Sequence, residues 1–137
     1  MRLPSHIEPR EVLGLMVEQA RNAILLIGPG RRALYANRCF LELTGYSYEE
    51  FIALERTSAI TAPHDQQDTT TSLNDALRGV RTSFRLRPLV RKDGSELWVE
   101  GALTPISVAG ERFLLAEFRP PHGPAPDGGA SWSSADQ

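Results

Sequence analysis

The chain has 137 residues, 41% of them apolar, which suits one domain with one real core and does not suit two. Its net charge is −2 and its basic residues are scattered; the nearest thing to a cluster, Arg85, Arg87, Arg91 and Lys92, is broken by Pro88 and apolar residues, which excludes the dense stripe of a nucleic-acid binder. Cys39 is the single cysteine, so an internal disulfide is impossible, and the longest clean apolar run, residues 23–27, falls far short of the ~20 residues that span a bilayer.

The N-terminal MRLPSHIEPR carries charge with no apolar signal core behind it. With a lone cysteine that fits a reducing compartment, the expectation is a soluble, cytoplasmic protein without membrane partners. Residues 10–21 carry Leu13, Met16, Val17 and Ala20 at helical spacing, with Pro9 suited to the first helical position. This predicts an amphipathic helix that covers apolar surface, its own or a partner's.

The period then changes. AILLIG (23–28) reads as a buried strand, Pro29-Gly30 as a turn and Ala33-Leu34-Tyr35-Ala36 as the strand that completes a hairpin. Asn37 caps a short helix, RCFLELT, that stops at Gly45. Ser47 and Glu50 form a capping box for another helical turn through Phe51 and Ile52. Residues 53–62 show no clean period.

PHDQQDTTTSL (63–73) opens a helix of about fifteen residues, because Leu73, Ala76, Leu77 and Val80 recur at helical spacing and Gly79 sits where a helix ends. A strand over 81–91 follows, with Phe84 and Leu86 alternating against Arg85 and Arg87. Asp93-Gly94 turns it back into ELWVEGALTPI (96–106); Ala109-Gly110 turns again, and RFLLAEF (112–118) is the last strand. The expected class is α+β, antiparallel strands at both ends with helices between. Residues 120–137, rich in proline and glycine, read as a disordered tail or linker in which Trp132 is the only large apolar residue.

Two segments taken together resemble a known family. AILLIGPGRRALYANRCFLELTGYSYEE is similar to the opening of a PAS domain, and VRKDGSELWVEGALTPISVAGERFLLAEFR to its last three strands. The resemblance covers about residues 22–119, leaving 1–21 as an amphipathic cap or dimerisation helix. It implies a five-stranded antiparallel sheet in the order 2-1-5-4-3, helices on one face and a small internal pocket. It implies a sensory, dimerising module that relays a signal to an effector and is not itself an enzyme. Pro88 tests it: proline is tolerated on an edge strand, and the third strand is an edge in this order.

The resemblance also weighs the chemistry. In haem-binding PAS domains the iron ligand lies on the long helix facing the sheet; His64 falls at or before that helix's first turn, where His64 or Asp65 suits the positive end of the helix dipole. His64, Asp65 and Asp68 lack zinc-type spacing, and no nucleophile elbow accompanies the Ser, His and Asp residues. Asn-Arg-Cys-Phe (37–40) looks like the flavin-reactive motif of light-sensing LOV domains but precedes Gly45. Cys39 is therefore expected to be a small buried residue. No cofactor is expected, haem and flavin being the alternatives.

Gln66, Thr69 and Thr70 share the face of Leu73 and Leu77 that looks into the sheet. Two readings are open: the hydroxyls bond back to the carbonyl one turn earlier or meet a buried water, or they hold a small ligand walled by Phe84, Leu86, Val99, Leu114 and Ala116. If Val99 and Leu103 face the pocket, Trp98 faces the other way, joined by Phe113 and Leu115. That outer patch is the expected interface for Leu13, Met16, Val17 and Ala20, within the chain or in a homodimer. A histidine-kinase core, a nucleotide-cyclase domain or a helix-turn-helix would each need more chain, so the expectation is a lone sensory domain or a piece of a longer receptor.

Overall fold

The computed structural model of the chain describes residues 2–54, 56–123, 126 and 132. An N-terminal helix, α1 (Pro9–Glu18), starts on proline. The hairpin follows as β1 (Ala23–Ile27) and β2 (Ala33–Ala36). Its turn is a single 3-10 turn, Pro29–Arg31.

Asn37 lies between the hairpin and α2 (Arg38–Thr44) and is fully buried. Its Oδ1 accepts from the N–H groups of Phe40 and Ile24, capping α2 and extending the sheet at once. Its Nδ2 donates to the carbonyls of Val17 and Asn22 at 2.9 and 3.0 Å. One amide thus ties α1 to the domain. The α2 helix ends at Gly45 in the left-handed region, and α3 (Tyr48–Ile52) carries the complete Ser47–Glu50 capping box.

Two more 3-10 turns follow, Thr57–Ile60 and Pro63–Asp65, and the latter leads into α4 (Gln66–Leu77), so the helical stretch predicted from residue 63 has its first turn tightened. The remaining strands are β3 (Arg85–Val90), β4 (Glu96–Val108) and β5 (Glu111–Arg119). The sheet is antiparallel in the order β2-β1-β5-β4-β3. Pro88 therefore sits on an edge strand, opposite Trp98, where its missing N–H breaks no second ladder.

The third strand is shorter than its alternation suggested. Before Arg85 the pairing passes through a side chain: Leu103 N–H donates to Thr82 Oγ1 at 2.7 Å while Thr82 N–H donates to Leu103 O at 3.0 Å. The hydroxyl stands in for a ladder carbonyl.

The inner sheet face carries Ala23, Leu25, Ile27, Leu97, Val99, Leu103, Leu114, Ala116 and Phe118, all buried. Helical Phe40 and Phe51 pack on it, their rings 4.9 Å apart and Phe40 5.9 Å from Phe118. Trp132 is buried in the same cluster, and the His122 ring pairs with Glu100. Residues 120–123, 126 and 132 are the only described part of the expected tail; the rest of that expectation lies outside the described residues.

On the outer face Trp98, Phe113 and Leu115 are half-buried. Leu13 and Met16 stand 48% and 62% exposed, and no residue of α1 is fully buried. Intrachain cover of the outer patch by these two side chains is therefore not what the chain forms. The helix is instead held at its C-terminal end, through Val17 O to Asn37 and through Glu18, which accepts from the Tyr35 hydroxyl. Burial and Glu18 together raise the Tyr35 pKa well above the ordinary phenol value.

Candidate functional site: a cavity beneath the long helix

The N-terminal half of α4 lies over the inner face of the sheet and leaves a cavity of about 70 Å³. Its apolar wall comes from Leu25, Ile27, Ile60, Leu73, Leu103, Ala116 and Phe118. Its polar wall comes from Thr57, Thr61, Thr69, Ser72, Thr82, Ser83, Arg85 and Arg87. Gly101 belongs to the lining because a Cβ there would meet Phe118 at 2.9 Å and the Arg87 side chain at 3.3 Å. A glycine on β4 is what lets a ring and a guanidinium lie over the strand.

The polar wall is an ion cluster. Asp65 occupies the N-cap position of α4, yet its carboxylate makes no capping bond. It turns toward β3, where Arg85 Nη1 donates to Oδ1 at 2.9 Å and Arg85 Nη2 to Oδ2 at 3.4 Å. Thr69 Oγ1 donates to Asp65 Oδ2 at 3.0 Å and accepts from Arg85 Nη2 at 3.4 Å. Arg87, one pleat further along, donates from Nη2 to Thr61 Oγ1 at 3.4 Å and lies 5.7 Å over the Phe118 ring. Burial pushes the Arg87 pKa down to about 10; Asp65 pulls it back up and Arg85 pushes it further down. At neutral pH it stays a cation.

The register corrects the expected walls. Arg87 pairs with Val99 and Arg85 with Gly101, so the arginines share the inner face with the core residues of β4. Leu86 pairs with Glu100 and is 42% exposed on the outer face. Phe84 lies on the outer side too, its ring 3.7 Å beneath the Arg119 guanidinium. The alternation was right and its phase was inverted. Apolar residues normally take the inside, but here Asp65 supplies the counter-charge that lets two arginines occupy it.

Of the other expected lining residues, Thr69, Leu73 and Ala116 line the cavity. Val99 and Leu114 are buried in the core outside its lining, Leu77 is 43% exposed, and Thr70 is half-buried outside the lining. Gln66 Nε2 donates to Thr61 O at 3.1 Å, bracing the turn before α4 rather than facing the cavity. Thr69 meets the Asp65 carboxylate, not a carbonyl one turn back as the first of the two readings had it. Arg85, Arg87, Thr61, Ser72 and Gly101 were missed. The usable signal was the pair of arginines alternating with apolar residues opposite an acidic helix start.

His64 is exposed, with Nε2 3.1 Å from Glu96 Oε1, and is not among the cavity-lining residues. The Cys39 thiol donates to Arg21 O and is half-buried, less enclosed than expected; burial, then Glu42, push its pKa up to about 11. Among the described residues there is no group of three or more His, Cys, Asp or Glu placed to hold a metal ion, and no helix long and apolar enough to cross a membrane.

Comparison with known proteins gives the same architecture. The sequence profile of the PAS fold family matches residues 33–115. The PAS domain of a Colwellia psychrerythraea protein superposes with a TM-score of 0.73 at 19% identity, over 82% of this chain and 96% of that one. The PAS domain of an HTR-like protein from Haloarcula marismortui gives 0.69 at 23%, over 80% and 89%. A domain of a sensory box sensor histidine kinase/response regulator from Geobacter sulfurreducens gives 0.68 at 21%, over 80% and 92%. At these identities the solved structures establish the fold, and with the profile covering most of the sheet and its helical roof, the chain belongs to the PAS fold family, a family of sensory modules.

Proposed function

We propose that this chain is a sensory signalling module that binds a small molecule beneath α4, dimerises, and relays occupancy to an effector domain or partner protein. The observation that carries this reading is the cavity itself, which lies between α4 and the inner sheet face and is lined by both apolar side chains and converging polar groups, the composition of a ligand site. The Geobacter sulfurreducens neighbour, from a sensor histidine kinase/response regulator, supports a signalling role.

The ligand in this reading is neither haem nor flavin, and the module carries out no catalysis. His64 and Cys39, the side chains that would anchor such groups, lie outside the cavity lining. The exposed Leu13 and Met16 of α1, with the half-buried Trp98, Phe113 and Leu115, form the dimer surface, joined there by Val17 and Ala20. A visible spectrum of the purified protein, with native mass spectrometry beside it, tests the ligand. A colourless protein carrying or accepting a small molecule is the expected result, and a haem or flavin band overturns it. Light scattering tests the dimer: Met16→Asp and Trp98→Ala should each shift it toward monomer.

A second reading is an interaction module with no ligand, favoured by the way the protein's own Arg85, Arg87 and Thr69 already line the space. Saturating small molecules raise the melting temperature only under the first reading, because binding to the native state must stabilise it.

A further inference from the structure

The ion cluster beneath α4 is unbalanced. Among the described residues two guanidiniums, Arg85 and Arg87, face one carboxylate, that of Asp65. Arg85 keeps 33% of its side chain exposed and can be screened by solvent, whereas Arg87 keeps 11%. Among the described residues the buried Arg87 Nε has no hydrogen-bond partner; Asp65 Oδ2 stands 3.5 Å away, too poorly placed to accept. A buried cationic N–H that shares its counter-charge and makes no hydrogen bond is costly, and native interiors rarely leave one.

We propose that the cavity is a site for a small monocarboxylate, its carboxylate held by Arg87 and Arg85 and its short apolar part lodged against Leu103 and Ala116. This rests on the small-molecule reading above and names the chemical class of the ligand. One negative charge neutralises the excess cation. A planar carboxylate matches the guanidinium fork better than a spherical or tetrahedral ion and gives charge-assisted hydrogen bonds. The apolar wall, including Leu25 and Phe118, has no use for a fully hydrated anion such as inorganic phosphate. Size sets the scale. A cavity of roughly 150 Å³ takes a benzene, so the 70 Å³ here admits a ligand of about three to five heavy atoms.

The experiment titrates the protein with sodium propionate and with the isosteric neutral propionamide at constant ionic strength. Calorimetry, the melting temperature and the arginine Nε–H resonances are the readouts. Propionate should bind, raise the melting temperature and move the Arg87 Nε–H resonance downfield, while propionamide does none of these. Arg87→Met should weaken propionate by at least about tenfold. If this variant fails to fold by circular dichroism, the Nε–H resonance of the parent decides the matter alone.

Equal binding of acid and amide, or propionate binding unchanged in a folded Arg87→Met, overturns the anion assignment. If neither compound binds but fragments of other chemistry do, the assignment falls and the ligand-pocket reading stands. If no fragment binds at all, both fall.

Discussion

Arg87 Nε stands 3.5 Å from Asp65 Oδ2 and forms no hydrogen bond with it, while Arg85 grips the same carboxylate at 2.9 Å. Asp65 is thus the shared counter-charge of two arginines, one of them deeply buried. Removing one partner of a buried pair costs more than the pair contributes, because the other charge is left uncompensated. Asp65→Asn should destabilise the fold by roughly 3 kcal/mol. Urea denaturation checks this, and an unchanged midpoint would show that the cluster contributes nothing to stability.

Asn37 predicts a loss that a simple helix cap would not. Replacing a cap residue by alanine costs about 1 kcal/mol. Here Asn37→Ala also strands the Ile24 N–H and two carbonyls, those of Val17 and Asn22. The total should reach about 2–4 kcal/mol. Asn37→Asp keeps both acceptor bonds but sets a carboxylate against those carbonyls, so it should be nearly as damaging. Hydrogen exchange would show α1 opening in both variants; an Asn37→Asp as stable as the parent would reduce the side chain to a cap.

The turn between β4 and β5 offers a gain. Ala109 and Gly110 both have positive φ, 52° and 79°. Glycine takes that conformation freely, but alanine is strained there by roughly 1 kcal/mol. Asn-Gly suits such a two-residue hairpin turn best. Ala109→Asn should therefore stabilise by about 0.5–1 kcal/mol, read as a higher melting temperature. A lower one would mean that the turn is not strained.

Glu50 carries an acid-sensitive contact. The Lys92 ammonium and the Ser47 N–H hold its pKa down to about 2 from the usual 4.5. Its folded pKa lies below the unfolded one, so its contribution is complete above 4.5 and is lost as the pH falls toward 2. Glu50 is solvent-exposed, so the effect is modest and screened by salt. The melting temperature of Glu50→Gln should trail the parent near neutral pH and converge with it in acid. A gap that persists unchanged at low pH would assign the loss to packing.

What could be read without the structure was what depends on near neighbours in the chain. Asn37, the Ser47–Glu50 box and the Gly45 stop mark helix ends because caps act across three or four residues. Asp93-Gly94 and Ala109-Gly110 mark turns for the same reason. The alternation of residues 84–87 and 96–103 identified strands, and the paired motifs around Asn37 and Asp93 carried the strand order by family resemblance.

Which phase of β3 faces inward is a different kind of quantity. It depends on pairing Arg87 with Val99 and on Asp65 reaching across from α4, contacts between segments far apart in sequence. Hydrophobicity alone assigns Phe84 and Leu86 to the interior, since an isolated guanidinium loses more hydration there than it can recover. A carboxylate brought by the fold reverses that balance. Local propensity therefore determined the elements and the capped helix ends, while the start of β3 and the polar wall of the cavity were decided only by tertiary placement, because the energy of a buried charge is set by whatever the fold puts beside it.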